Sequence, residues 1–272
     1  MAAGYPSWAK LLHDIGEELG VSSRDIQDLA ALAQWSIQES GGATRVRNVI
    51  KEKIGKDYPT PSTLEVIARL AARRIWVSGS WPVEDGGTRA ADIYALSEEV
   101  GRWIGQSGRD LVSGAGLLVG SAAISGFLEA LRDGGGWDLN RRLVARPFPL
   151  PLAGAEPDAA KWTALRKELA RQAGGIIFIG GAKREGGTLV TAGGVIEEYE
   201  AAREVGAFLL PIGATGGAAQ EIAEKLIGSD VEATGTKAMR PTDDELQILL
   251  NPQTERKAVL ECIDAVVTRL TK

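Results

Sequence analysis

Five short apolar segments of this chain end in the residue types that hold phosphate and ribose. They are residues 75–80, 110–114, 143–146, 176–181 and 208–213. Their ends carry Ser78-Gly79-Ser80, Gly114, Arg146, Gly181 with Lys183 just beyond, and Gly213 followed by Thr215 and Gly216. Glycine lets backbone N–H groups approach an anion, and a helix N-terminus that follows such a turn favours negative charge. Arginine and lysine add charge-assisted hydrogen bonds to phosphate oxygens.

Two of the turns are longer. Gly114, Gly116 and Gly120, followed by Ser121, lead from a strand into a helix. The third glycine comes one residue late for the dinucleotide fingerprint, so the run reads either as a phosphate turn or as a tight strand-to-helix turn with no ligand. Gly180-Gly181-Ala182-Lys183 ends another strand; a hairpin-like excursion follows, and Gly193-Gly194 opens a helix bearing Glu197 and Glu198. Carboxylates in a first turn suit the helix dipole, which makes capping one reading of the pair. The other reading places one of them over a ribose, where it accepts hydroxyl protons. Adjacent helical residues diverge, so only one of the two faces such a pocket.

These ends work together only if the strands are parallel. Helical periodicity separates the five segments, with helices predicted at about residues 88–106, 119–131, 157–173, 194–205, 215–227 and 253–270. Pro241-Thr242-Asp243-Asp244 starts a shorter element. Strand and helix in alternation predict an α/β, Rossmann-like, doubly wound and mostly parallel sheet over residues 73–272. In such a sheet the ligand sits outside the carboxyl ends of the strands. Residues 1–72 differ: Trp8, Leu11, Leu12, Ile15 and Leu19, and later Val46, Val49, Ile50 and Ile54, predict a small helical segment ahead of the sheet.

Composition narrows the chemistry. A net charge of −5 over 272 residues argues against an extended nucleic-acid footprint. Cys262 is the single cysteine, which excludes an internal disulfide or a cysteine zinc cluster. His13 is the single histidine and sits among Leu11, Leu12 and Ile15, so a Ser-His-Asp triad is not expected. No apolar run reaches the ~18 residues that span a bilayer, and no signal-peptide core opens the chain. A cytoplasmic protein with no metal, no membrane contact and no nucleic-acid partner is expected.

Residues 75–230 resemble the SLOG superfamily, which includes the LOG-type nucleotide phosphoribohydrolases and the DNA-processing Smf/DprA proteins. The LOG signature is Pro-Gly-Gly-x-Gly-Thr-x-x-Glu. Gly193-Gly194-Val195-Ile196-Glu197-Glu198 matches its end, with Gly194 at the glycine, Val195 in place of the threonine and Glu198 at the glutamate. Val77-Ser78-Gly79-Ser80, Arg146-Pro147-Phe148-Pro149 and the stretch from Pro211 to Gly217 look closer to the STALD sensor branch found in sirtuin-like effectors of Thoeris anti-phage defence. Pro6-Ser7-Trp8, Leu32-Ala33-Gln34 and the stretch from Leu64 to Leu70 resemble the interior of a sirtuin-like NAD-hydrolase domain. That likeness stops at Arg73-Arg74-Ile75-Trp76, and the family's glycine-rich NAD loop and catalytic histidine are missing from the matching part.

The resemblance implies a sensor without a resident cofactor. It would bind a cyclic ADP-ribose isomer made by a TIR-domain cyclase and control an NAD-depleting effector through rearrangement of a homo-oligomer, dimer or tetramer. Arg146 and Lys183 would meet phosphates and Glu198 a ribose. The glycines at 79, 114, 116, 120, 181, 194, 213 and 216, with Ser78, Ser80, Ser121 and Thr215, would line the same site. The resemblance also implies that the chain is inactive alone as an NAD hydrolase. Two rival readings remain: a LOG-type N-glycosidase on a nucleoside monophosphate, and a DprA-like binder of single-stranded DNA, which the acidic balance disfavours.

Overall fold

The computed structural model describes residues 74–83, 87–135, 142–149, 158–205, 207–228 and 240–271. The helical segment predicted for residues 1–72, with His13, lies outside the described residues.

Among the described residues seven strands form: β1 (Arg74–Ser80), β2 (Asp110–Ser113), β3 (Leu143–Ala145), β4 (Gly175–Gly180), β5 (Ala182–Glu185), β6 (Thr188–Thr191) and β7 (Phe208–Ile212). Among the same residues seven α-helices accompany them: α1 (Thr88–Gln106), α2 (Val119–Asp133), α3 (Ala159–Gln172), α4 (Gly193–Val205), α5 (Gly217–Leu226), α6 (Asp243–Leu250) and α7 (Arg256–Thr271). The strands and helices predicted after residue 73 are present, and the short element after Pro241 is the helix α6. It starts from a capping box in which Thr242 and Glu245 satisfy each other's backbone N–H groups.

Five strands make one parallel sheet in the order β3-β2-β1-β4-β7. The chain steps outward from β1 to β3, then returns to build β4 and β7 on the other side. The order therefore reverses between β1 and β4, and the crevice for a ligand opens above their carboxyl ends. The register there pairs Ser78 with Phe178, Gly79 with Ile179 and Ser80 with Gly180.

Both faces are covered, so the strands are near-continuous apolar runs rather than alternating ones. On one face Ile75, Val77, Leu111, Ile177 and Ile179 pack with Ile104 of α1, Phe127 of α2 and Ile263 of α7. On the other, Trp76, Val112, Ile176 and Phe178 pack with Leu169 of α3, Tyr199 of α4 and Ile222 of α5. Alternation along β1 therefore sends Ser78 and Ser80 to the α3–α4 side, above Trp76. A separate antiparallel hairpin, β5–β6, rises from the end of β4 and turns at Gly186-Gly187. Among the described residues no helix is long and apolar enough to cross a membrane.

Candidate functional site

The carboxyl ends of β1 and β4 are held together by backbone. A Cβ on Gly79 would stand 1.9 Å from the Ile179 carbonyl oxygen, so only glycine lets β1 run this close to β4 at its tip. The Gly181 N–H donates to the Ser80 carbonyl at 2.8 Å, and the Ser80 hydroxyl donates to the Ala182 carbonyl at 3.1 Å. The Gly181 carbonyl accepts from Ala192, where the hairpin returns, at 2.8 Å, and from Ala218, in the first turn of α5, at 3.0 Å. The Thr215 hydroxyl accepts the Gly180 N–H at 2.7 Å and donates to the Ile212 carbonyl at 2.5 Å. The result is a ledge of small residues spanning the switch point.

A buried polar cluster sits beside this ledge. The Ser78 hydroxyl donates to Glu198 Oε2 at 2.5 Å, although 120 positions separate the two residues. Glu198 is buried, while Glu197 next to it is exposed. Arg166 of α3 reaches both: its Nη1 donates to Glu197 Oε2 at 2.7 Å, and its Nε lies 3.8 Å from Glu198 Oε1. The guanidinium lies beside two aromatic rings, 5.2 Å from the centroid of Phe148 and 5.7 Å from that of Trp162. The two rings meet edge to face at 5.8 Å, and the Trp162 indole N–H donates to the Pro149 carbonyl at 2.9 Å.

Local sequence explains how the cluster is placed. Asp158 caps α3 by accepting the Lys161 N–H, which fixes the start of the helix that carries Trp162 and Arg166. Arg166, Leu169, Ala170 and Ala173 follow helical spacing, so the arginine shares the buried face of α3. A Cβ on Gly194 would stand 2.7 Å from Arg166 Nη2, so the glycine at the start of α4 leaves room for the guanidinium. Phe148 lies against Gly114, where a Cβ would come within 2.7 Å of the ring.

Burial pushes the Glu198 carboxyl up to about 7. The Ser78 hydroxyl and the Arg166 guanidinium pull it back down in part, and Glu197 adds to the rise. A carboxyl in that range changes charge near neutral pH. Ionised, it accepts hydrogen bonds from sugar hydroxyls; protonated, it donates one.

The other predicted residues fall into two groups. Arg146, at the end of β3, and Lys183, at the base of the hairpin, both have about half of their side chains exposed. Their ion-pair partners are the exposed Glu168 and Glu185, each at 3.6 Å. Both cations can turn toward a ligand at small cost, because exposed pairs contribute little. Gly116 is exposed beside Gly79, and Gly216 lies open on the ledge with φ +79°. Gly120 and Gly213 are packing positions: a Cβ would meet the Ser113 hydroxyl at 2.9 Å in the first case and the Leu250 side chain at 2.6 Å in the second. The Ser121 hydroxyl donates to the Leu117 carbonyl at 2.5 Å, within its own turn. Thr215, as above, uses its hydroxyl to tie β4 to β7.

Arg166 and Trp162 were not among the residues singled out from sequence, and Phe148 entered only as part of the stretch from Arg146 to Pro149, with no role assigned. The available signal was Arg166 itself, a charge on the apolar face of a predicted helix. A buried arginine needs an acid, and two acids stand in the second turn of the next helix, beyond the first turn where they would cap it.

The family model of the Sir2- and TIR-associating SLOG proteins, STALD, matches residues 61–270. The chain belongs to the STALD family. Among curated proteins it is similar to the NAD(+) hydrolase ThsA of Acinetobacter baumannii (strain 532279), with 32% identity over 170 residues, covering 60% of this chain and 35% of that protein. The NAD(+) hydrolase ThsA of Cytobacillus dafuensis is 31% identical over 167 residues, covering 60% and 33%. The protein of the same name from Bacillus cereus (strain MSX-D12) is 36% identical over 134 residues, covering 49% and 26%. The matched part of this STALD chain thus spans about a quarter to a third of the length of these relatives.

Proposed function

We propose that this STALD chain is the sensor part of a Thoeris anti-phage effector. In this reading it binds a cyclic ADP-ribose isomer made by a TIR-domain partner, and binding rearranges a homo-oligomer that controls an NAD-depleting activity. The observation that carries the proposal is the buried Ser78–Glu198–Arg166 cluster at the switch point of a STALD fold. The names of the relatives supply the link to NAD hydrolysis.

The chemistry follows from the cluster. Ionised Glu198, oriented by Ser78 and Arg166, accepts hydrogen bonds from two hydroxyls of a ribose. Arg146 and Lys183 supply charge to phosphate oxygens, each contact contributing about 1.5–3 kcal/mol. The glycine ledge lets the ligand approach the backbone. A ligand shifts an assembly only by binding one arrangement better than another, so these contacts must differ between the two states of the oligomer.

The test is calorimetry of the 272-residue chain with a panel of cyclic ADP-ribose isomers, followed by light scattering with and without the tightest binder. The expected result is binding of at least one isomer, recovery of that isomer intact, and a change in oligomer mass or shape. No binding across the panel overturns the proposal.

One observation favours a second reading, the LOG-type N-glycosidase: Glu198 carries a proton affinity suited to acid–base work near neutral pH. Buried Val195 stands where that signature has threonine. Chromatography of nucleoside monophosphates after incubation separates the two readings, because only a glycosidase releases free base.

A further inference from the structure

Arg89 lies outside the cluster described above, in the first turn of α1, and its side chain crosses the top of the sheet. Its Nη2 donates to the Ala214 carbonyl at 2.6 Å, just beyond the end of β7. Its guanidinium stands 5.9 Å from the ring centroid of Trp81, the residue that follows β1. Trp81 in turn lies against Gly180, where a Cβ would come within 3.3 Å of the indole. Gly216 is next to the same guanidinium, and a Cβ there would meet only Arg89, at 3.5 Å. Arg89 therefore borders the ledge at Gly216 and, through Trp81, at Gly180, and it is exposed.

The position is the mirror of that of Arg146. Arg146 follows β3, two strands from β1 on one side; Arg89 is anchored to the end of β7, two strands from β1 on the other. With strands about 4.8 Å apart, the two edges of the sheet are roughly 19 Å apart. One phosphate cannot meet cations held at both edges of the sheet, whereas a ligand with two phosphates and two riboses can lie across it. A guanidinium has five N–H donors, and the bond to Ala214 uses one of them.

We propose that Arg89 is a third cationic anchor for the ligand, beside Arg146 and Lys183. It meets a phosphate on the β7 side while Ser78 and Glu198 hold a ribose, and it thereby selects nucleotides whose phosphates reach across the switch point. The proposal rests on the sensor reading above.

The experiment compares wild type, Arg89→Lys and Arg89→Gln by calorimetry, using the tightest-binding cyclic ADP-ribose isomer at low and high salt. Both variants keep a polar side chain with N–H donors, but only lysine keeps the charge and most of the reach toward the Ala214 carbonyl. The expected result is that Arg89→Lys binds within about threefold of wild type. Arg89→Gln is expected to bind about tenfold more weakly, with a shallower salt dependence and an unchanged thermal midpoint of the free protein. Equal affinities for the two variants, whether both match wild type or both fall, overturn the proposal and leave Arg89 as a pin for the β7 loop. If wild type binds no isomer, the sensor reading fails and this inference falls with it. If wild type binds and Glu198→Gln weakens binding while the two Arg89 variants agree, only this inference fails.

Discussion

Ser78 and Glu198 join the end of the first strand to the second turn of the fourth helix through one hydrogen bond of 2.5 Å. The bond lies in the interior, at the point where the strand order reverses. It makes the protonation of a single carboxyl depend on the packing of α4 against β1, and several measurable consequences arise from that dependence.

Stability should fall as pH rises through Glu198. Burial raises this carboxyl from an ordinary 4.5 to about 7 in the folded chain. Between those values the folded state holds a proton that the unfolded state has released, so unfolding free energy decreases with increasing pH. The stabilisation is complete below about 4.5 and is lost as pH passes 7. The window corresponds to about 3 kcal/mol as an upper figure. Glu198→Gln should remove this slope and be more stable than wild type at pH 8. Urea unfolding from pH 5 to pH 8 checks it, and parallel slopes for the two proteins would refute it.

Ligand affinity should run the other way. A ribose whose hydroxyls donate to Glu198 requires the ionised carboxyl, so binding must expel the proton below about pH 7. Affinity should then weaken by about tenfold per pH unit on the acid side and level off above pH 7. Glu198→Gln should bind more weakly with a flat profile. Calorimetry in buffers of different ionisation enthalpy reports the proton released at the same time.

Arg166 should be the most costly single truncation in the site. Its side chain is 9% exposed, lies near two aromatic rings and faces two carboxylates. Arg166→Met keeps most of the packing but leaves Glu198 without its nearby cation. Breaking a buried pair on one side costs about 3–5 kcal/mol. A proton can neutralise Glu198, so the loss should be smaller at pH 5 than at pH 8. An equal loss at both pH values would mean that the arginine acts through packing alone.

Arg146→Ala should behave in the opposite manner. Arg146 is half-exposed, and its partner Glu168 is equally exposed, so the free protein should change by less than about 0.5 kcal/mol. Affinity for the nucleotide should fall by about ten- to a hundredfold if the side chain meets a phosphate. Unchanged affinity with the fold intact would remove Arg146 from the site.

Gly79→Ala should fail to reach the native fold or lose more than about 3 kcal/mol. The new methyl carbon would stand 1.9 Å from the backbone oxygen of Ile179, which no side-chain rotation can relieve. Circular dichroism and thermal unfolding check this; a native melting curve for the variant would show that β1 and β4 can separate.

Much of the framework could be read directly from the chain. Short apolar runs and period-3.6 patterns separate strands from helices, because a sheet covered on both faces buries both sides of its strands whereas a helix buries one. The glycines at strand ends mark sharp turns at one edge, and short apolar runs between helices imply a parallel sheet covered on both faces. These are local properties, and the hairpin-like excursion after Lys183 and a short element after Pro241 follow from them as well; the structure makes the first a hairpin and the second a helix.

Tertiary structure decided what each polar group does. Glu197 and Glu198 are adjacent and chemically alike; only the packing of α4 against β1 and α3 buries the second and exposes the first. Thr215 has the composition of a phosphate-binding turn, yet its hydroxyl closes bonds to Gly180 and Ile212. Arg166 acquires its role from α3–α4 packing and from Phe148 and Trp162, none of which a local pattern reports. Sequence determined where polar groups stand along the chain, because backbone geometry is periodic. Which of them are buried, paired or left facing the crevice depended on contacts between distant elements, because desolvation and ion pairing act through space.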